Sequence, residues 1–161
     1  MATFCLIHGS WHDGSCWDPL SAALARRGHE ALSPTMPLDD PEAGFEDRFR
    51  PIAAALAAGA DPLVVVGHSV SSGFAAVAAE RAARLLPVAP LAEDQYPIDG
   101  HPDLPTALIY ATEDEFFEPG WERFMARELL GVEPIEIPGG HFPMLEDPEG
   151  LADLLDRRSG T

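Results

Sequence analysis

Short apolar runs alternate along this chain with longer stretches of helical period, and that alternation limits the fold more than any single residue does. Six runs read as strands: Thr3–Ile7 (TFCLI), Glu30–Ser33 (EALS), Leu63–Val66 (LVVV), Leu85–Leu91 (LLPVAPL), Thr106–Ala111 (TALIYA) and Val132–Ile137 (VEPIEI). Most are continuous apolar blocks and do not alternate with polar residues, so both faces of each strand are expected to be covered. The class this implies is α/β: one domain over residues 1–161, a three-layer α/β/α sandwich around a mostly parallel sheet of about six strands.

Between the runs, Trp17–Arg27 reads as a helix stopped by Gly28, Phe45–Ala58 as a second helix and Ser72–Arg84 as an alanine-rich third. Trp121–Leu130 and Pro148–Arg158 supply two more. Pro51 is expected to kink or restart the second helix, because it lacks the N–H its turn needs. Proline in the fourth and sixth runs suits edges or irregular strand ends. Residues 92–105 form the longest loop candidate. Loops of that length in compact domains often carry function.

Charge excludes some partners. Twenty-seven acidic residues against ten basic ones give a formal charge of −17, which repels polyanions and anionic lipid; neither nucleic acid nor membrane is an expected partner. All ten basic residues are arginines, so no chemistry here can use a lysine. The arginine pairs 26/27, 81/84, 123/127 and 157/158 read as solvated helix faces. No signal-type segment precedes the first run and no apolar run has spanning length, which predicts a cytoplasmic protein. Cys5 and Cys16 are expected as reduced thiols. The histidines show no HxH or HExxH spacing, so no metal is expected and no cofactor is required.

In a sheet of this kind, reactive groups gather where loops converge at the carboxyl ends of the strands. Ser69, in VVVGHSVSSG, lies just past the third run and just before a helix, the strand–turn–helix setting of a strained nucleophile elbow. The pattern is G-x-S-x-S, with Ser71 where the usual motif has glycine. A serine hydroxyl needs a base, and the base needs an orienting group. His141, in IPGGHFPM after the last run, is the candidate base, and Asp114, in ATEDE after the fifth, the candidate orienter; the neighbouring Glu113 is the alternative carboxylate. Backbone N–H groups of Ser10, in the HGSWHDG loop after the first run, and of Val70 are the expected oxyanion donors. His8 is expected to brace that loop. Trp11, His12, His68, Phe142 and Met144 are placed along the substrate pocket or its wall, and His29 and His101 on the surface.

The blocks HGSWHDGSCW (8–17), RRGHEALSPTMP (26–37), VVVGHSVSSG (64–73), ATEDEFFEP (111–119) and GGHFPMLEDPE (139–149) resemble the α/β-hydrolase superfamily, in the branch holding plant methyl esterases, hydroxynitrile lyases and small bacterial esterases. The resemblance implies a minimal α/β-hydrolase fold. This chain starts at what would be the family's third strand, with only the 92–105 loop where relatives carry a helical cap. Without a cap the crevice is expected to be open. The hydroxynitrile lyase activity of that branch uses a cap lysine, and this chain has none. The second strand is then a sheet edge on which a homodimer could form. The function implied is a serine hydrolase, an esterase, lactonase or thioesterase, acting on a small ester-type substrate. Acyl transfer on the same three residues and a non-catalytic binding member of the fold are the alternatives.

Overall fold

The computed structural model describes residues 1–84, 103–117 and 120–160, without the side chains of residues 83 and 84. Its strands are β1 (Thr3–Ile7), β2 (Glu30–Leu32), β3 (Leu63–Gly67), β4 (Ile109–Ala111) and β5 (Ile135–Ile137). The helices are α1 (Asp18–Arg26), α2 (Phe45–Ala58), α3 (Ser72–Arg84), α4 (Trp121–Phe124), α5 (Pro143–Glu146) and α6 (Pro148–Arg158). The fourth expected strand, Leu85–Leu91, His101 and most of the 92–105 loop lie outside the described residues.

Among the described residues the strands form two parallel sheets, ordered β2-β1-β3 and β4-β5. Thr3 lies opposite both Glu30 and Leu63, and Ile7 opposite Gly67. In β1 every residue is buried, and its two-residue period splits the core into two. Phe4 and Leu6 enter one cluster with Trp17, Leu20 and Leu24 around α1 and Ala152 and Leu155 of α6. Cys5 and Ile7 enter the other with Phe49 and Ile52 of α2 and Phe74, Val77 and Ala78 of α3. Two helical layers on opposite faces of one strand explain why the sequence shows no polar alternation there. Cys5 and Cys16 are free and buried.

Several elements and residues differ from expectation. Of the kink or restart expected at Pro51, the restart does not occur: one helix runs from Phe45 to Ala58. The fourth helix, expected to Leu130, is a short α-turn followed by a π-turn, Met125–Leu129, closed by the Leu130 N–H bonded to the Met125 carbonyl. α5 was not expected, being too short for a periodic pattern. His29 is not on the surface: its Nδ1 accepts the Ala2 N–H at 3.1 Å and its Nε2 meets Asp156 at 2.9 Å, and only 8% of the residue is exposed. Nor is Arg81 a solvated face, since its guanidinium lies 4.3 Å from the Phe49 ring and pairs with Glu46 at 3.1 Å.

Strand and helix come closest where β3 turns into α3. A Cβ on Gly67 would sit 2.6 Å from the Ser71 carbonyl oxygen and 2.7 Å from the Ala75 Cβ, both held by the helix. Gly67→Ala is therefore expected to destabilise by about 1–3 kcal/mol, the usual cost of overpacking. Urea unfolding of the variant against the wild type measures it.

Candidate active site

Ser69 is the second residue past β3 and has φ +57°, a left-handed conformation that a residue with a Cβ adopts only under constraint. The constraint is visible on both sides. The His68 N–H continues the sheet ladder to the Ile7 carbonyl (3.1 Å), and the Ser71 N–H bonds the His68 carbonyl (3.0 Å) as a short 3-10 turn, Ser69–Ser71, leads into α3. The Ser72 hydroxyl donates to the Ser69 carbonyl at 2.8 Å. Together these lift the Ser69 side chain off the line of both strand and helix.

His141 and Asp114 reach this turn because two neighbouring loops are tied together. Past β4 the Thr112 N–H donates to the Ile137 carbonyl and the Glu113 N–H to the Gly139 carbonyl, both at 2.9 Å, so the loop carrying Asp114 runs beside the loop carrying His141. Gly139 takes φ +100°, and the next N–H, Gly140, is held by a Glu146 carboxylate oxygen at 2.8 Å. His141 Nδ1 then lies 2.7 Å from Asp114 Oδ2, and His141 Nε2 lies 3.1 Å from Ser69 Oγ. Asp114 Oδ1 accepts the Phe116 N–H at 2.7 Å. Only 8% of the His141 side chain and 9% of the Asp114 side chain are exposed. With the proton on Nδ1 donated to Asp114, Nε2 is left to accept from the serine hydroxyl. Of the two carboxylates weighed from sequence, Asp114 touches the imidazole, whereas Glu113 is exposed.

The first-strand loop closes over this assembly. A Cβ on Gly9 would come 3.1 Å from the Ser69 Cβ and 2.8 Å from His68 Nδ1, so glycine sets how near the loop can come. His8 is fully buried: its Nε2 accepts the Met36 N–H at 2.9 Å, which puts its proton on Nδ1, 2.9 Å from the Gly9 carbonyl. Its own carbonyl accepts the Ser71 hydroxyl at 2.5 Å. Ser71, the departure from the usual glycine, is thus a buried tie between the Ser69 turn and the loop bearing Ser10. Ser10 and Val70 both line a cavity of about 520 Å³ beside this turn.

The residues expected along the pocket separate into two groups. His12 and Phe142 pack edge-on at 4.8 Å, and Phe142 lies 5.0 Å from the His141 ring. Trp11 is 83% exposed with φ +64°, and faces Phe116 at 6.1 Å. Met144 is not on the crevice: it is 1% exposed within the core beside α1 and α6, because α5 turns that face inward. Two residues went unread in the sequence. Phe116 stacks on the His141 ring at 4.4 Å and Phe117 lies 5.6 Å from it, and the signal available was a pair of phenylalanines directly after the acidic loop.

His68 braces the same histidine from below. Its Nε2–H donates to the His141 carbonyl at 2.7 Å, while its Nδ1 is buried with no hydrogen-bond partner. Burial pushes its pKa down to about 4, since a second ring proton would bring a charge to an atom with nothing to receive it. Among the described residues no group of three or more potential ligands could hold a metal ion, and no helix is long and apolar enough to cross a membrane.

Residues 6–105 match the model of the alpha/beta hydrolase family, and the chain belongs to that family. It is 35% identical over 77 residues to a carbendazim-hydrolysing esterase from a Nocardioides species, a match spanning 43% of this chain and 32% of that one. It is 41% identical over 88 residues to the rice esterase PIR7B, spanning 48% of this chain and 33% of the relative. The matched region is thus about a third of each curated relative's length. Among solved structures, a pyrethroid hydrolase from Sphingobium faniae superposes with a TM-score of 0.76 at 18% identity, over 99% of this chain and 98% of that one, a likeness of fold.

A histidine whose folded pKa lies below its unfolded value binds fewer protons in the native state, so the stability it contributes is complete above about pH 6.5 and falls as pH drops toward 4. The wild type is expected to lose about 1–3 kcal/mol across that window relative to His68→Gln, which keeps the donor to His141 but cannot titrate. Urea unfolding of both proteins at pH 7 and pH 4.5 reads the difference.

Proposed function

We propose that the protein is a serine hydrolase of small esters, with Ser69 as nucleophile, His141 as general base and Asp114 as the group that orients the imidazole. The observation that carries this reading is the unbroken chain from Ser69 Oγ through His141 to Asp114, at 3.1 and 2.7 Å, built on a serine held at positive φ. Three side chains from three loops, each past a strand end, have that spacing and order. A merely capping serine would not need a histidine at its hydroxyl.

Ser69 Oγ attacks the ester carbonyl carbon as its proton passes to His141 Nε2. Asp114 stabilises the imidazolium that forms, and the N–H groups of Ser10 and Val70 receive the carbonyl oxygen as it becomes negative. Collapse of the tetrahedral intermediate breaks the bond to the alcohol oxygen, which takes the proton from His141. Water then attacks the acyl-enzyme with His141 again as base, releasing the acid and restoring Ser69. The start of α3 lies just beyond the nucleophile, where the positive end of its dipole favours the developing charge. The relatives named as esterases support ester cleavage as the reaction class.

Incubation with a fluorophosphonate probe tests the reading. Wild-type protein is expected to be labelled at Ser69; Ser69→Ala abolishes labelling, and His141→Ala slows it by about 10³-fold or more. Asp114→Asn is expected to lower kcat on an aryl ester by about 10²–10⁴-fold, whereas Glu113→Gln leaves it within about threefold. Folded wild type that takes no label overturns the proposal.

A further inference from the structure

Resting on that reading, we propose that Arg48 forms an anion subsite beside Ser69, so that the preferred ester carries a carboxylate. Arg48 stands in the first turns of α2 and lines the 520 Å³ cavity that Ser10 and Val70 also line, the two residues proposed to hold the oxyanion. One cavity thus joins the proposed oxyanion donors to Arg48. Leu38 and Phe74 supply apolar wall.

The state of this arginine sets it apart. In an acid-rich chain, the described arginine side chains find carboxylates readily: Arg26 and Arg27 with Glu149, Arg50 with Asp47, Arg81 with Glu46, Arg123 with Glu136 and Arg127 with Glu133. Arg157 and Arg158 are exposed at the end of α6. Arg48 alone among the described arginines is partly buried without an ion pair, and its Nε is sealed from solvent with no acceptor. A buried donor without a partner is destabilising, and a guanidinium presents a planar fork suited to a carboxylate. An acyl or alcohol portion ending in a carboxylate would supply the charge partner that Arg48 lacks. Glu42 lines the same cavity from an exposed position, where water screens its charge. The overall charge of −17 acts at longer range and is likewise screened within about 8 Å at physiological salt, so the adjacent cation decides.

The test compares 4-nitrophenyl esters matched in acyl carbon number and leaving group, hydrogen adipate and suberate against hexanoate and octanoate, and, for a charge on the alcohol portion, 4-acetoxybenzoate against its neutral methyl ester, methyl 4-acetoxybenzoate. In the wild type at least one carboxylate ester is expected to exceed its neutral partner in kcat/KM. Arg48→Met and Arg48→Gln reduce that ratio by about tenfold or more, mainly through KM, and raising salt weakens the preference in the wild type. Arg50→Met, whose arginine is already paired, leaves the ratio unchanged. Fluorophosphonate labelling at Ser69 in every variant separates the two proposals. Labelled wild type that prefers the neutral ester in all pairs overturns the anion subsite and leaves the hydrolase standing. So does a preference that Arg48→Met and Arg48→Gln do not alter. Loss of both labelling and hydrolysis in folded wild type overturns the hydrolase itself and, with it, the subsite as a substrate-reading device.

Discussion

The backbone of Ser69 is the constraint on which the site depends. A serine at φ +57° costs on the order of 1–2 kcal/mol relative to ordinary backbone, and it persists only where its surroundings allow nothing else. Those surroundings are two close approaches: α3 against Gly67, and the first-strand loop against Ser69 through Gly9. Neither would tolerate a side chain. The buried strand β1 and its neighbour β3, in register from Thr3 opposite Leu63 to Ile7 opposite Gly67, bring the two loops out at the same level. Core burial on both faces of the sheet thus supplies the energy that holds one residue out of its preferred conformation.

Polar ties finish what the packing begins, and each joins a different pair of segments. Ser71 ties the Ser69 turn to the His8 carbonyl, His8 ties its loop to Met36, and His68 ties the turn to the His141 carbonyl. The last is the most consequential, because it fixes the backbone of the residue whose ring must meet Ser69. A neutral imidazole is well matched to this position, since it offers one donor to a carbonyl in a space too apolar for a charged ring. Ser71 is equally specific. Glycine in its place would fill less space and make no bond to the loop that carries Ser10.

How much of this was legible in the sequence depended on the range of the interactions. β1, α2 and α6 were readable to the residue, and α3 at its start, since their signals lie within each segment. That Ser69, Asp114 and His141 would approach one another followed from each lying just beyond a strand end in a parallel sheet. The errors came from elsewhere. His29 looked like a surface residue because its partners, Ala2 and Asp156, are 27 and 127 residues away. Met144 looked like a pocket residue because it follows His141 closely, yet a four-residue helix turns it into the core. The π-turn at Met125–Leu129 leaves the apolar spacing of an ordinary helix almost unchanged, so no pattern announces it.

Charge presents the last problem, since a chain with 27 acidic residues and ten arginines is poorly suited to bind an anion by its overall field. Most of the described arginines answer this by neutralising neighbours: Arg27 bridges α1 to α6 through Glu149 and Asp153, and Arg81 joins α3 to α2 through Glu46 while covering Phe49. Such pairs commit positive charge to the scaffold. Exposed ones contribute little stability individually, so their consequence is chiefly electrostatic: few cations remain to shape the field near the crevice. Under those conditions a single guanidinium left unpaired in a cavity wall has an effect out of proportion to its charge. It is the position from which a mostly acidic surface could still select for an acidic group.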